Sequence, residues 1–309
     1  MKTNGKEFAV DLQKLEVELD RVSGEGLLLR NETYDVYAAS AERIPTALQE
    51  IGRLRALAFP DADAPGGVEL DGFDATYLHL FVWHRQNREI VGGYRLGCTD
   101  LLGAKMFPAA LYTHSLFDFD TRFLKKLGPA IELGRSFVRE EYQRSSLVLE
   151  LLWKGIGCLV ASAPRYRFLF GALTIDHEFR LEARELLLDY LDSHGVDPDW
   201  QELVTPRNPV RATQVQAALE VQIPDTMAEL ARRFAELDHH AHRIPVLLRQ
   251  YLRMGARSLG YSADPLFGGS IDALILVDMH ACHPRLLSRY LGEEATRAVR
   301  RGQDFVGSA

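Results

Sequence analysis

The residues best suited to chemistry lie in a short apolar stretch, residues 131–138, with the sequence IELGRSFV. It predicts a buried strand that carries two charges, Glu132 and Arg135. Side chains alternate along a strand, so a regular strand would point these charges to opposite faces. Gly134 between them favours a β-bulge, which would turn one charge into a cleft.

These two charges have two interpretations. Charged side chains are rarely buried without a partner or a task, so Glu132 and Arg135 form either a structural ion pair or part of a site. In a site, the carboxylate can act as a general base, and the arginine can bind a substrate carboxylate through two hydrogen bonds. What surrounds the strand must decide between them.

The composition limits the class of protein. The chain has 309 residues, 47% hydrophobic and 26% charged, which is typical of a folded globular protein. A formal net charge of −7 argues against nucleic acid as the main partner. The three cysteines, Cys98, Cys158 and Cys282, are an odd number and favour a reducing compartment without disulfides. No signal peptide or run of about 20 apolar residues is visible, so we expect a cytoplasmic protein, with contact to the inner membrane surface as an alternative.

The elements that must position the two charges can be read from apolar periodicity and turn residues. The predicted elements are a helix over 6–21, a strand over 33–38, a helix over 44–59, a hairpin of strands 77–84 and 89–96, the strand 131–138, a helix over 147–163, a strand over 165–175, a helix over 245–254, a strand near 255, a strand over 273–277 and a C-terminal helix. Strand, helix and strand over 131–175 predict a βαβ unit and hence a parallel or mixed sheet. Residues 98–126 have no steady period and predict an irregular excursion, and residues 177–243 predict a charged helical insertion.

Several other groups have structural interpretations that we favour. Histidine-rich segments at 238–242 and 280–283 are expected to be loops or helix ends, because adjacent histidines on a helix point in different directions. Gly155 and Gly157 lie inside an apolar helix and predict helix packing. Ser136 lacks a nucleophile-elbow pattern, which excludes a serine hydrolase. For Asp71 and Asp74, the alternative to a site is capping of a loop before a strand.

The chain contains a series of different short motifs whose order and spacing together are specific. They are residues 73–74 (FD), 79–81 (HLF), 91–96 (VGGYRL), 131–138 (IELGRSFV), 141–143 (EYQ), 151–157 (LLWKGIG), 164–171 (PRYRFLFG), 245–255 and 273–277. From about residue 36 to residue 292 the chain therefore resembles the GNAT-fold N-acyltransferases that make ornithine and glycine lipids, a group often called hemolysin-like. The resemblance implies one GNAT-like α/β domain over residues 1–309, with a mixed central sheet flanked by helices and the helical insertion 177–243.

A thinner similarity to the acyl-homoserine-lactone synthases implies the site residues. It rests on Arg-x-x-x-Phe, Asp-x-x-Asp, Gly-x-x-Arg-Leu and Glu-x-x-Arg motifs, matched here by Arg55 and Phe59, Asp71 and Asp74, Arg95, and Glu132 and Arg135. We expect Glu132 and Arg135 to be catalytic. The remaining matched residues are expected to bind substrate.

The acyl donor is implied by a departure from the GNAT pattern. The turn that binds pyrophosphate in acetyl-CoA enzymes contains glycines, whereas residues 143–148 here read QRSSLV. Lipid-forming relatives typically use acyl carrier protein, whose phosphopantetheine presents a single phosphate, and loss of the glycines fits that donor. The expected donor-binding residues are Val138, Arg139, Gln143, Arg144, Ser145 and Ser146. Because carrier proteins are acidic, we expect a basic surface near this helix start, formed by Arg139, Arg144, Arg165, Arg167, Arg122, Lys125 and Lys126.

The resemblance implies an enzyme that moves a long-chain 3-hydroxyacyl or fatty acyl group from acyl carrier protein to the α-amine of ornithine or glycine. The product would be a lyso-aminolipid, and neither a metal nor a bound cofactor is expected. Glu132 would remove the ammonium proton, and backbone N–H groups near residues 134–136 would bind the tetrahedral oxyanion. The alternatives are an N-acyl amino acid or homoserine-lactone-like signal synthase, and a non-catalytic protein that binds acyl carrier protein or lipid.

Overall fold

The computed structural model describes residues 10–103, 107–195, 197–210, 223–238, 244–264 and 269–301. The chain forms two compact units. Unit 1 comprises Met1–Ala110, Pro129–Arg167 and Pro284–Ala309, and unit 2 comprises Leu111–Gly128 and Phe168–His283. Both units combine helices with antiparallel strands, which confirms the predicted α/β class. The single-domain assignment over residues 1–309 stays a prediction.

The helices and strands are numbered in chain order. The helices are α1 Leu12–Gly26, α2 Pro45–Ala58, α3 Thr121–Leu127, α4 Leu147–Ser162, α5 Leu181–Gly195, α6 Pro198–Gln201, α7 Met227–Leu237, α8 Val246–Arg253, α9 Pro284–Leu291 and α10 Glu293–Arg301. The strands are β1 Leu27–Arg30, β2 Tyr34–Ser40, β3 Leu78–His84, β4 Glu89–Cys98, β5 Phe117–Phe119, β6 Ala130–Val138, β7 Phe168–Ile175, β8 Val204–Pro206, β9 Arg257–Asp264 and β10 Ser270–Asp278.

The sheet of unit 1 runs in the order β1-β2-β3-β4-β6, and each of these pairs is antiparallel. The predicted hairpin is confirmed as β3 and β4, with Arg88 in its turn at a φ of 54°. The strand predicted at 131–138 is confirmed as β6. Strand β1 was not predicted, because its four residues are too few to show a strand period.

Helices cover both faces of this sheet. Helices α1 and α2 contribute Leu15 and Ile51 to a buried cluster with Phe81 of β3. On the opposite face lies α4, where a Cβ at Gly155 would come within 2.8 Å of side-chain atoms of Leu80 and Val36. Leu80 and Phe81 are consecutive residues of β3 and pack against helices on opposite faces of the sheet, as expected for a strand buried on both faces.

Close helix contacts in unit 1 depend on a glycine and a buried carboxylate. A Cβ at Gly157 of α4 would lie 2.5 Å from the Tyr290 carbonyl oxygen of α9, so the predicted helix-packing role of this glycine is confirmed. Glu18 of α1 is buried and accepts hydrogen bonds from the N–H groups of Thr46 and Ala47 at 2.8 and 3.0 Å. It satisfies donors in the first turn of α2 that have no partner inside the helix.

In unit 2, β10 pairs with β7 and β9, and β5 pairs with β8, all antiparallel. The predicted strand over 165–175 begins later, at Phe168. The segment predicted as helical, 177–243, does contain α5, α6 and α7, but it also contributes β8, whose three residues are too short for a period. Residues 239–243, which include three of the histidines considered above, lie outside the described residues. Across the described ranges, no helix has the length and apolar character needed to cross a membrane.

Candidate active site

Charged residues of unit 1 form a closed ring in which arginines and carboxylates alternate. Arg55 bonds Glu69 at 2.6 Å and Asp74 at 2.7 Å. Arg95 bonds Asp71 at 2.5 Å and Asp74 at 3.2 Å. Arg135 closes the circuit, with its Nε 2.9 Å from Glu69 and an Nη 3.7 Å from Asp71. We call these six residues, Arg55, Glu69, Asp71, Asp74, Arg95 and Arg135, the ion-pair ring.

The ring carries no net formal charge, because three guanidinium groups face three carboxylates. The solvent exposure of its side chains varies: those of Arg55 and Arg95 are 1% exposed, whereas Arg135 is 16% and Asp71 is 30% exposed. Arg55 and Arg95 therefore support the ring from inside. Arg135 and Asp71 form the edge from which a ligand could be reached.

The capping interpretation of Asp71 and Asp74 is confirmed, and the two side chains also belong to the ion-pair ring. Asp71 caps the short 3-10 helix Gly72–Ala75 by accepting from the Phe73 N–H at 2.8 Å. Asp74 reaches back and accepts from the Asp71 N–H at 2.7 Å, which completes a capping box. The same carboxylates bind the ring arginines, so one short turn fixes the position of two ring members.

A β-bulge in β6 turns Arg135 toward the ring. The register with β4 passes from Gly134↔Arg95 to Phe137↔Gly93, so β6 has one residue more than β4 between these pairs. The predicted bulge is confirmed, but Arg135 rather than Gly134 takes the left-handed conformation, with a φ of 47°. Such a conformation in a non-glycine residue costs free energy and is often found at functional sites.

Glu132 is buried next to the ring and is held by a tyrosine. The Tyr77 hydroxyl donates a hydrogen bond to the Glu132 carboxylate, and it also lies 3.2 Å from the Ala110 carbonyl oxygen. The guanidinium carbon of Arg95 lies 5.3 Å from the centre of the Tyr77 ring, within the range of a cation–π contact. Glu132 is thus linked to the ion-pair ring through Tyr77 and Arg95.

Beside Glu132 the strand leaves room. A Cβ built at Gly134 would meet no heavy atom of the described residues within 4 Å. Residues 132 and 134 lie on the same face of β6 because strand side chains alternate. The open space at Gly134 is therefore on the same side as the Glu132 carboxylate, and Arg135 borders it along the chain.

The protonation of two buried groups follows from this setting. Burial favours the neutral form of Asp74, but the Arg55 and Arg95 guanidinium groups outweigh it and hold the pKa of Asp74 below its usual value. Burial lowers the pKa of His79, whose Nε2 lies 2.9 Å from the Asp74 carbonyl oxygen. At neutral pH, Asp74 is charged and His79 is neutral.

Sequence reasoning missed three residues of this site. Glu69 completes the ring, Tyr77 holds Glu132, and His79 supports the turn at Asp74. Glu69 did leave a signal, since it is a lone acid between two apolar residues, Val68 and Leu70. Tyr77 and His79 look like ordinary residues at the start of a buried strand, and nothing in their pattern marks a role.

Phe59, predicted to bind substrate, lies at the C-terminal end of α2. It is half-buried and packs against the cluster formed with α1, and its N–H donates to the Arg55 carbonyl at 2.8 Å. Substrate binding by Phe59 stays a prediction.

The predicted donor-binding residues lie in the segment between β6 and α4. Arg139 bonds Glu89 at 2.5 Å, and the Gln143 side-chain amide donates to the Val138 carbonyl at 2.8 Å. The Tyr142 hydroxyl bonds Glu89 at 2.5 Å; burial and that carboxylate raise the pKa of Tyr142 to about 12. These contacts tie the segment to the start of β4.

The start of α4 itself faces solvent. Arg144, Ser145 and Ser146 are exposed. Ser146 occupies the N-cap position without a capping bond, while the Ser145 hydroxyl accepts from the Leu147 N–H at 3.2 Å. The described part of the chain contains no group of three or more His, Cys, Asp or Glu side chains arranged to hold a metal ion.

Comparison with known proteins identifies the family of this chain. Residues 54–154 match the acetyltransferase (GNAT) domain model, a span that contains every member of the ion-pair ring and Glu132. The chain is 31% identical over 291 residues to a glycine N(alpha)-acyltransferase of Bacteroides thetaiotaomicron, which covers 88% of this chain and 84% of the relative. It is 30% identical over 264 residues to a protein of the same name from Phocaeicola vulgatus, with 79% of each chain covered.

The chain belongs to this family of GNAT-type acyltransferases. Among solved structures, it is similar to the CoA-dependent acyl-homoserine lactone synthases BjaI and MesI, each at 14% identity. The TM-scores are 0.42 and 0.40, and the alignments cover 86% and 89% of this chain and 97% of each synthase. The match to the GNAT domain model and the similarity to the two glycine N(alpha)-acyltransferases confirm the fold class and the acyltransferase assignment expected from the sequence.

Proposed function

We propose that this acyltransferase joins a long-chain fatty acyl group to the α-amine of glycine, with acyl carrier protein as the donor. The observation that carries the proposal is the placement of Glu132, a carboxylate on the same strand face as the open space at Gly134 and next to an arginine. The glycine N(alpha)-acyltransferases similar to this chain support glycine as the acceptor. These relatives favour glycine over ornithine as the acceptor.

The acceptor must lose a proton before it can react. An α-ammonium group has no lone pair, and Glu132 removes its proton directly or through a water. The neutral amine then attacks the thioester carbonyl and forms the C–N bond; the C–S bond breaks, and the proton that the nitrogen releases goes to the departing sulfur, which leaves as the phosphopantetheine thiol. The tetrahedral oxyanion is bound by backbone N–H groups at the β6 bulge, where Arg135 and Ser136 are skipped by the register with β4.

The ion-pair ring orients the acceptor. Arg135 is the most exposed ring arginine and takes the glycine carboxylate at the edge of the ring. Arg55 and Arg95 are positioning residues, since their exposed fraction of 1% leaves no surface for a ligand. A small acceptor suits the space at Gly134, which a single methyl group would begin to fill.

The donor approaches the start of α4. Its exposed first turn and Arg144 offer N–H groups and a positive charge to the single phosphate of phosphopantetheine. The absence of glycine at residues 143–148 disfavours the closer approach that a diphosphate needs. The product would be a membrane amphiphile, so we place the reaction at the inner membrane surface.

The test is a reaction of purified protein with glycine and a C16 acyl group on either acyl carrier protein or CoA, with the product identified by mass spectrometry. Glu132→Gln should lower kcat by about 10²-fold or more with an unchanged melting temperature. Gly134→Ala should raise KM for glycine and leave KM for the donor unchanged. Glu25→Gln, at an exposed ion pair, is the matched control and should behave as wild type.

Each part of the proposal can fail separately. A fully active Glu132→Gln enzyme would remove Glu132 from the role of base. Faster turnover with ornithine than with glycine would replace the acceptor, and faster turnover with acyl-CoA would replace the donor. Folded wild-type protein that acylates neither amine from either donor would refute the proposed activity.

A further inference from the structure

The Tyr77 hydroxyl has two acceptors in reach but a single proton. Its side chain is buried, and the hydroxyl contacts both the Glu132 carboxylate and, at 3.2 Å, the Ala110 carbonyl oxygen. A phenol donates one hydrogen bond at a time and accepts others through its oxygen. The two contacts therefore correspond to two arrangements of the same hydroxyl.

We propose that Tyr77 is a positioning residue that holds Glu132 in both of its protonation states; the inference rests on the proposed role of Glu132 as the base. When Glu132 is ionised, the phenol O–H donates to the carboxylate. When Glu132 has taken the ammonium proton from the acceptor, its carboxyl O–H donates to the phenol oxygen, and the phenol O–H turns to the Ala110 carbonyl. One proton moves from the substrate to Glu132, and the hydrogen bond between the Glu132 carboxyl group and the Tyr77 phenol is kept in both states.

The tyrosine ring is fixed so that its hydroxyl stays in place. A Cβ at Gly97 would lie 2.5 Å from a ring carbon of Tyr77, so β4 contacts the ring directly. Gly97 is also the register partner of Glu132, which puts ring and carboxylate over the same pair of strand positions. The Arg95 guanidinium carbon lies 5.3 Å from the centre of the Tyr77 ring and 5.6 Å from that of Phe73, and the two rings contact each other edge to face at 5.9 Å.

The ion-pair ring supplies charged groups around this pair. Arg95 faces the Tyr77 ring, Asp71 and Asp74 pair with Arg95, and Arg135 follows Glu132 along β6. A Tyr77→Phe substitution keeps the ring, and hence its contacts with Gly97 and Arg95, and removes the hydroxyl alone. The ion-pair ring is then unchanged, so a change at Glu132 reports the lost hydrogen bond.

Loss of the hydroxyl should make Glu132 easier to protonate. A hydrogen bond donated to a carboxylate favours its charged form, so removing the bond raises the pKa of Glu132. Both protonation states lose a hydrogen bond, but the bond to the ionised carboxylate is about twice as strong as the bond to the neutral carboxyl group, so we expect a net rise of about one pH unit. The acid limb of kcat/KM against pH should move up by the same amount, and activity on the plateau should fall less than in Glu132→Gln.

Two measurements test the inference. The first is the pH profile of kcat/KM for wild type, Tyr77→Phe and Tyr261→Phe, a matched control because the Tyr261 hydroxyl also donates to a carboxylate, that of Asp192 at 2.7 Å. The second needs no turnover: the Glu132 carboxyl is titrated by NMR in protein labelled with carbon-13 at glutamate Cδ. The Glu132 resonance is assigned as the one that is absent from the spectrum of Glu132→Gln.

The outcomes separate this inference from the proposed function. An upward shift of the Glu132 titration in Tyr77→Phe, absent in Tyr261→Phe, supports the holding role even in a protein that acylates no glycine. An unchanged titration midpoint overturns it, even when Glu132→Gln is inactive. If Tyr77→Phe does not fold, Gly97→Ala is measured instead. Its added methyl group displaces the Tyr77 ring but keeps both polar groups, and the midpoint of the Glu132 titration should shift in the same direction.

Discussion

Substitution of Glu69 by glutamine tests whether the ion-pair ring stabilises the fold as a unit. Glu69 is 3% exposed and accepts from the Nε atoms of Arg55 at 2.6 Å and Arg135 at 2.9 Å. Glutamine keeps the volume and removes the charge, so the buried ring acquires a net charge of plus one. Removal of one partner from a buried ion pair costs about 3–5 kcal/mol, because the other charge stays buried without compensation.

A loss of that size is a large part of the total stability of a typical domain, about 5–15 kcal/mol. It should appear in urea unfolding followed by circular dichroism. With a slope of about 3 kcal/mol per molar urea, the unfolding midpoint falls by about 1 M or more. The slope itself should not change, because the same surface is exposed on unfolding.

The matched control is Glu25→Gln. Glu25 pairs with Arg43 at 2.8 Å, but its side chain is 78% exposed. An exposed pair contributes at most about 1 kcal/mol, so the midpoint should barely move. Equal, small shifts for Glu69→Gln and Glu25→Gln would refute the reasoning, since burial would then make no difference to the value of the pair.

Two further predictions concern pH and helix packing. Burial lowers the pKa of His79 below its usual 6.5, so as the pH falls the unfolded chain binds a proton more readily than the folded chain, and the stability that neutral His79 contributes above pH 6.5 is lost. His79→Gln should therefore reduce the difference between the unfolding midpoints at pH 7.5 and pH 5.5. An equal difference in wild type and variant would contradict this. Gly157→Ala should lower the melting temperature because the added methyl group meets the backbone of α9. Gly24→Ala in α1, with open space around it, should instead stabilise by about 0.5–1 kcal/mol, and a similar gain for both alanines would count against the close approach.

Much of the fold followed from the sequence, because its elements have strong local signals. Helix α4 has a long apolar run that ends before Pro164, and the β3–β4 hairpin has two apolar strands joined by a polar turn. The missed elements are α3, a seven-residue helix in the stretch predicted to be irregular, and three short strands, β1, β5 and β8, of four, three and three residues. Strands of that length show no period, and their pairing partners, rather than their own residues, make them strands.

The sequence by itself determined which residue types are available to the site. The spacing of Glu132 and Arg135 around a glycine indicated a bulge, and the acidic pair Asp71 and Asp74 before a hairpin indicated both a cap and a charge cluster. Arg55 could be connected to them only through motifs resembling a known family, because nothing local links a residue of α2 to a turn that follows it. To that extent, the candidate residues were predictable.

Only the tertiary structure decided how those residues are used. It closed the ion-pair ring with Glu69 and turned Arg135 into it by a left-handed backbone conformation. It also brought the Tyr77 hydroxyl to Glu132, 55 positions away in sequence. Hydrogen bonds and ion pairs act over a few ångströms in space, whereas residue spacing along the chain reports distance only within one helix or strand. Contacts between elements depend on how they pack, and packing is a property of the whole folded unit.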